Sequence, residues 1–148
     1  MRSLRRFFSI FRAWLIPAVG DPQRRRREES ASARLSRYIV ESSRLSGQRV
    51  NHRAFMPPPD LELSTYNTDG LVDAEIWEIG ERVRREQKKE NLYGRAELVA
   101  RSVYDIGLRA IRDDEPMRHV VIVGWPDKPQ HKAKAQLLAA ASTFFQRA

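Results

Sequence analysis

The chain has 148 residues, of which 41% are hydrophobic and 31% are charged, and these values fit one globular domain with a hydrophobic core. It contains no cysteine, which excludes disulfides, thiolate metal sites and cysteine nucleophiles. The net charge of +8 lies largely at one end, because residues 1–30 hold eight arginines and three acidic side chains.

Residues 1–17 predict a basic amphipathic helix, the arm, which ends at Pro17. Apolar side chains recur at helical spacing, and arginines lie on the opposite side. The apolar stretch is interrupted by Arg12 and is shorter than the roughly 20 residues that cross a bilayer, so no transmembrane span is predicted. Three interpretations stay open: a helix in a membrane interface, a helix docked on a partner or on its own domain, and a start codon assigned too far upstream. We expect the arm to make its contacts through Arg5, Arg6, Phe7, Phe8 and Phe11.

Residues 18–33 predict a charged linker, since a run of arginines opposes compaction and small residues add freedom. A solvated linker is favoured over a phosphate-binding segment. Residues 34–148 are then expected to form the globular domain.

The first half of this domain predicts one short helix and two strands. Residues 33–45 have apolar side chains spaced i, i+4, which indicates the helix. Residues 49–55 and 61–67 alternate apolar and polar side chains, which indicates the strands. Three prolines at 57–59 lie between them and force an irregular connection.

The second half predicts three further helices and a hairpin. Helical periodicity covers residues 73–89 and 94–106, and the first of these has acidic residues early and basic residues late, as the helix dipole favours. Residues 108–112 and 119–125 are strand-like runs separated by a charged turn that contains proline. A last helix is expected over 130–146.

Together these elements predict an α+β fold. We expect a single domain with a mixed or antiparallel sheet of about four strands, packed by three to four helices, with the N-terminal amphipathic helical arm attached. The run Val120–Val123 is entirely apolar and should form the most buried strand.

His119 is the main catalytic candidate, because an imidazole exchanges protons near neutral pH and this one begins a buried strand beside Arg118. As a general base it needs a hydroxyl within about 3 Å, and Ser64 and Tyr66 are the expected partners, with Tyr93 as a further neighbour. The competing interpretation is a histidine at a strand edge that bonds a backbone carbonyl. It is favoured, because one histidine alone makes no mechanism.

An anion-binding site is a second hypothesis. Tyr93 and Arg95 would project from a helix start toward a ligand, and Arg118 would be a further anion-binding residue. The alternative is a helix start at which Tyr93 packs and Arg95 pairs with a carboxylate. The three histidines lack metal-ligand spacing and the glycine motifs of nucleotide-binding loops are absent, so neither a metal site nor a cofactor is predicted.

The incomplete catalytic set and the attached arm favour a non-enzymatic binding or accessory module that acts with a protein partner. The alternatives are a small enzyme that uses His119 on a phosphorylated or nucleotide-like substrate, and a nucleic-acid binder. Residues 1–30 would be the part that contacts nucleic acid or an anionic membrane surface. The expected location is the cytoplasm, with peripheral membrane attachment as the alternative.

Overall fold

The computed structural model describes residues 26–148, in which the chain forms nine strands and three α-helices. The strands are β1 (Arg27–Glu28), β2 (Arg34–Ile39), β3 (Leu45–Ser46), β4 (Arg49–Val50), β5 (Leu63–Asn67), β6 (Gly94–Val99), β7 (Arg109–Arg112), β8 (His119–Val123) and β9 (Thr143–Gln146). The α-helices are α1 (Asp73–Glu86), α2 (Ala100–Tyr104) and α3 (His131–Ala141). Short 3₁₀ turns lie at Ser42–Arg44, His52–Phe55 and Lys128–Gln130.

Seven strands form one antiparallel sheet in the order β1-β7-β8-β5-β2-β6-β9, and β3 and β4 form a separate hairpin. The molecule is therefore a small α+β domain, but the prediction of about four strands packed by three to four helices is wrong. Several segments with helical spacing are strands of this sheet.

The predicted helix over 33–45 is the first of these errors. Residues Arg34–Ile39 are instead a strand, paired with β5 on one side and β6 on the other. Leu35 and Ile39 are fully buried, and i, i+4 spacing also puts two residues on one face of a strand because four is an even number. The apolar spacing was therefore compatible with both structures.

The predicted helix over 94–106 is wrong for most of its length. Gly94–Val99 is a strand between β2 and β9, and only Ala100–Tyr104 is helical. An alanine built at Gly94 would have its Cβ 2.3 Å from the backbone oxygen of Phe145. Glycine is required here because β9 approaches this backbone closely.

Two further predicted elements are shorter than expected. The strand over 49–55 comprises only Arg49–Val50, and the 3₁₀ turn His52–Phe55 follows it. The helix over 130–146 ends at Ala141, after which the chain turns into β9 and completes the sheet edge.

Other predictions are confirmed. Helix α1, strand β5 and the hairpin of β7 and β8 all lie where the sequence indicated. Val120 and Ile122 are fully buried and Val121 is 7% exposed, whereas Val123 is only partly buried. The apolar run is thus a core strand, as expected from its composition.

The sheet separates two apolar clusters. On one face the strands pack against α2, α3 and the 3₁₀ turn His52–Phe55, in a core whose largest fully buried side chains include Phe55, Leu35, Ile39, Leu63, Ile122 and Leu138. The other face, the α1 face, is smaller. It buries Tyr38, Val40, Tyr66, Ile76, Val83 and Leu92.

Helix α1 lies close to the sheet at Gly80. A Cβ at this position would be 2.7 Å from Cδ1 of Tyr38 and 2.9 Å from Cδ2 of Leu92. The Tyr38 hydroxyl donates a hydrogen bond of 2.5 Å to the carbonyl of Ile76, and burial raises the pKa of this hydroxyl despite the nearby charge of Arg95. The tyrosine ring therefore has little room to move away.

Strand β1 lies at the edge of the sheet and comes from the segment expected to be a linker, residues 18–33. Arg27 and Glu28 pair with β7, and Glu29 accepts a hydrogen bond of 2.8 Å from the Asn67 amide. The predicted arm, residues 1–17, lies outside the described residues. In residues 26–148, no helix has the length and apolar character needed to cross a membrane.

Candidate active site

Three of the predicted site residues lie on the α1 face of neighbouring strands. Tyr66 of β5 is directly opposite His119 of β8, and Ser64 is opposite Val121. Because side chains alternate along a strand, Ser64, Tyr66 and His119 all project from the same face. The pairing of β5 with β8 thus brings together the histidine and both hydroxyls that the sequence proposed.

The His119 ring makes two side-chain hydrogen bonds. Nε2 lies 3.0 Å from Oγ of Ser64, and Nδ1 lies 2.8 Å from Oδ1 of Asp113. A carboxylate can only accept, so Nδ1 carries the proton and Nε2 is left to accept a hydrogen bond from the serine hydroxyl. The three side chains form a continuous series of hydrogen bonds, from the Ser64 hydroxyl through the His119 imidazole to the Asp113 carboxylate.

The β7–β8 hairpin places Asp113 beside His119. Arg112 pairs with Val120, so the next residue on each strand, Asp113 and His119, face each other across the end of the ladder. The backbone N–H of Asp113 donates to the carbonyl of His119 at 3.1 Å. The side chains of Asp113 and His119 are 14% and 12% exposed, so their hydrogen bond is largely shielded from water.

The neighbouring Asp114 holds the hairpin loop together. Its Oδ1 accepts hydrogen bonds from Arg112 Nε at 2.6 Å and from the backbone N–H of Arg118 at 3.0 Å. Burial alone would raise the pKa of this carboxyl, but these hydrogen bonds and the charge of Arg112 outweigh it and lower the pKa. Asp114 and Arg118 both have positive φ, 53° and 71°, which indicates that these contacts hold a strained loop.

Ser64 is held from the opposite face of the sheet. The guanidinium of Arg37, a residue 5% exposed, donates to the carbonyl of Ser64 at 3.1 Å and to the carbonyl of Ala54 at 2.8 Å. These bonds attach the backbone at Ser64 to the 3₁₀ turn behind it. The serine is therefore on a rigid part of the sheet.

Tyr66 connects the histidine to helix α1. Its ring centroid is 5.3 Å from that of His119, and the guanidinium carbon of Arg82 lies 5.8 Å from the Tyr66 centroid. The tyrosine is 6% exposed and packs in the cluster under α1. Its position indicates a packing role beside His119, and it is the Ser64 hydroxyl that lies 3.0 Å from His119 Nε2.

The predicted anion-binding group does not come together as one site. Arg95 is 6% exposed, and its guanidinium lies between the rings of Trp77 and Phe145 at 4.7 and 4.5 Å. Tyr93 packs against the core on the opposite face of the sheet. Arg118 is the member of the set that lies near His119, in the loop that holds Asp113.

The other two histidines are separate from this site. His131 is 7% exposed, and its Nε2 lies 2.7 Å from the backbone oxygen of Pro126, while His52 belongs to a 3₁₀ turn. Within residues 26–148, no group of three or more histidine, aspartate or glutamate side chains has the arrangement of a metal site.

Asp113 is the residue that the sequence analysis missed. The hairpin was predicted, but only the observed register, in which Arg112 pairs with Val120, puts Asp113 opposite His119. The predicted arm contacts Arg5, Arg6, Phe7, Phe8 and Phe11 lie outside the described residues, and binding of a protein, nucleic acid or membrane through residues 1–30 stays a prediction.

Comparisons with protein-family models, curated proteins and solved structures give no match.

Proposed function

We propose that this protein is a serine-dependent hydrolase, in which Ser64 is the nucleophile, His119 the general base and Asp113 the residue that orients the imidazole. The observation that carries the proposal is the continuous hydrogen-bonded chain, 3.0 Å from Ser64 to His119 and 2.8 Å from His119 to Asp113. A nucleophile in contact with a base that is itself oriented by a third group is the signature of an activated serine.

The reaction would follow the two steps of ester hydrolysis. Ser64 Oγ attacks the acyl carbon while its proton passes to His119 Nε2, and that proton then goes to the departing alcohol as the ester C–O bond breaks. In the second step His119 takes a proton from water, the resulting hydroxide attacks the acyl-enzyme, and Ser64 regains its proton. The sum is one ester and one water converted to one acid and one alcohol, with no redox change.

His131 supplies an internal comparison. Its Nε2 bonds a backbone oxygen, which is the arrangement of a histidine that serves packing. His119 instead bonds a hydroxyl on one nitrogen and a carboxylate on the other. This difference favours the enzyme over the non-enzymatic binding module that the sequence alone suggested.

Covalent labelling tests the proposal directly. A fluorophosphonate reacts with serines that an adjacent base activates, and it forms a stable adduct that mass spectrometry locates. We expect one adduct per chain, on Ser64, and loss of labelling in Ser64→Ala and His119→Gln. Ser102→Ala is the matched control, because this serine lies on α2, away from His119, and its loss should leave labelling unchanged.

The result that would contradict the proposal is equally specific. An adduct on another serine, an unchanged labelling rate in Ser64→Ala, or no adduct in a chain that melts cooperatively would each show that Ser64 is not an activated nucleophile.

A further inference from the structure

Strand β9 has a free backbone edge. It is the last strand in the order of the sheet and has β6 as its neighbour on one side. The Arg147 N–H donates to the Tyr93 carbonyl at 2.8 Å, so the backbone at residues 147 and 145 points toward β6. Because backbone groups alternate in direction along a strand, those of Phe144 and Gln146 point outward, where no strand formed by residues 26–148 pairs with them.

The two edges of the sheet differ in how they are protected. Strand β1, at the other edge, consists of Arg27 and Glu28, and Glu28 forms an ion pair of 2.6 Å with Arg109. Edge strands in natural proteins commonly carry charges or prolines, which prevent a further strand from pairing with them. Strand β9 has the sequence TFFQ, which contains neither. Its outer edge is therefore suited to accept another strand.

A cavity of about 630 Å³ adjoins β9 on the face of the large core. Strand β9 forms one wall, the end of α3 a second, and the β3–β4 hairpin with the 3₁₀ turn after it a third. Polar side chains in the lining come from all three walls: Gln48, Arg49, His52, Gln136, Ser142 and Thr143. Gln48, Arg49, Gln136 and Thr143 are exposed, so a ligand can reach them from solvent.

The charge of this cavity favours an anionic ligand. Arg49 and His52 are the titratable side chains of its lining, and the lining includes no carboxylate from the described part of the chain. Arg49 takes part in none of the ion pairs found in residues 26–148. Its guanidinium is therefore available to a ligand carboxylate, with which it can form two parallel hydrogen bonds.

Asn51 fixes the wall that carries Arg49. Its Nδ2 donates to the Ser43 carbonyl at 3.0 Å and lies 3.2 Å from Oγ of Ser46, and its Oδ1 accepts a hydrogen bond of 2.9 Å from the Arg53 N–H. These bonds join the β3–β4 hairpin to the 3₁₀ turn that follows it. A wall that is formed before the ligand arrives reduces the entropy that binding would cost.

We infer that β9 and this cavity together bind an extended acidic peptide segment of a partner protein. The backbone of the peptide pairs with the free edge of β9. Since side chains alternate between the two faces of a strand, every second side chain of the peptide lies on the face of the large core, where a carboxylate can reach Arg49. Backbone pairing supplies affinity, and the cavity selects acidic side chains. Ser64 projects from the opposite face, so the inference does not depend on the proposed hydrolase activity.

Three fluorescein-labelled peptides with amidated ends test the inference on the full chain. The first, Ser-Glu-Val-Glu-Val-Glu-Ser, places all its carboxylates on one face of a strand. The second has glutamine in place of each glutamate, and the third has the composition of the first in the order Glu-Glu-Glu-Val-Val-Ser-Ser. We expect fluorescence polarisation to show the first peptide binding at least about tenfold more tightly than the other two, a difference that one charge-assisted pair can supply.

Variants of the protein separate the two parts of the site. Arg49→Gln should weaken binding of the first peptide by about tenfold and leave the glutamine peptide unchanged. Arg53→Gln is the matched control, because Arg53 is an exposed arginine of the adjoining turn that does not line the cavity. Gln146→Pro removes an outward N–H and should weaken binding of both peptides, whereas Gln146→Thr keeps that N–H and should change neither.

Several results would overturn the inference. These are equal affinity for the alternating and the reordered acidic peptides, equal losses in Arg49→Gln and Arg53→Gln, and unchanged binding in Gln146→Pro. Absence of binding at peptide concentrations up to about 1 mM would overturn it as well. A dimer of the full chain in light scattering that Gln146→Pro dissociates would assign the edge to a second copy instead of a peptide.

Discussion

Asp113 and His119 face each other at the end of the β7–β8 ladder, with Asp113 Oδ1 2.8 Å from His119 Nδ1. Asp113→Asn preserves the shape of the side chain but can present an N–H donor to the ring, which favours the wrong tautomer for a base. We expect the rate of Ser64 labelling to fall by at least about a hundredfold, whereas the fold persists. Labelling kinetics and a thermal melt measure these two effects.

The control for this change is Asp127→Asn, which removes a carboxylate from an exposed residue outside the hairpin loop. A labelling rate in Asp113→Asn equal to that of Asp127→Asn would mean that the carboxylate does not orient His119.

Asp114 should make the hairpin loop sensitive to acid. Because the pKa of its carboxyl in the folded chain lies below the ordinary value of 3.8, its stabilising effect is complete above that ordinary value and is lost as the pH falls through the folded pKa. At neutral pH, Asp114→Asn should lower the free energy of unfolding by about 1 kcal/mol. Urea unfolding of both proteins should give stabilities that converge below about pH 4. A difference that stays constant with pH would contradict this assignment.

Gly80→Ala tests the contact between α1 and the sheet. Helix propensity alone would make this change favourable by about 1 kcal/mol. The new methyl group would instead meet the Tyr38 ring at 2.7 Å, and overpacking of this kind costs about 1 to 3 kcal/mol. We expect a lower melting temperature, and a smaller loss when Tyr38→Leu is also present. Net stabilisation by Gly80→Ala would show that the helix moves away freely.

Two truncations separate the arm from the domain. Removal of residues 1–25 keeps every contact within residues 26–148, so the domain should stay folded and melt cooperatively. Removal of residues 1–30 also deletes β1, the Glu29–Asn67 hydrogen bond and the bond from the Tyr104 hydroxyl to the Glu29 carbonyl. This second truncation should cost about 1 to 3 kcal/mol. Equal melting temperatures for the two truncations would show that β1 adds no stability.

The elements with one clear signal were predictable from the sequence. Helix α1 has an apolar stripe together with charges that complement its dipole, and the β7–β8 hairpin has two strands around a charged turn. The two strands that were predicted as helices, β2 and β6, are buried on both faces. In β6, Ala96 and Leu98 face the large core while Arg95 and Glu97 face the other side, and alanine, leucine and glutamate are also good helix formers. Pairing with β2 and β9, which joins distant segments, outweighs that local preference.

The sequence indicated which residue types belong to the candidate site, but not the strand register that brings them together. His119 and Ser64 were named because of their residue types, but no pattern in the sequence indicates that β5 pairs with β8. Arg82 gave no signal, since a charged residue on an amphipathic helix is ordinarily solvated. Its contact with the Tyr66 ring depends on how α1 packs on the sheet, which local sequence does not indicate.

Ser64 and His119 are 55 residues apart in the chain and meet only through β5 and β8, near the centre of the sheet. Closing so long a loop is entropically costly, and antiparallel sheets that join distant segments fold in milliseconds to seconds rather than microseconds. During refolding, the capacity to be acylated should therefore return with the slow closure of the sheet and not with the early formation of α1. The rate at which Ser64 regains reactivity would then measure the rate of the last cooperative step of folding.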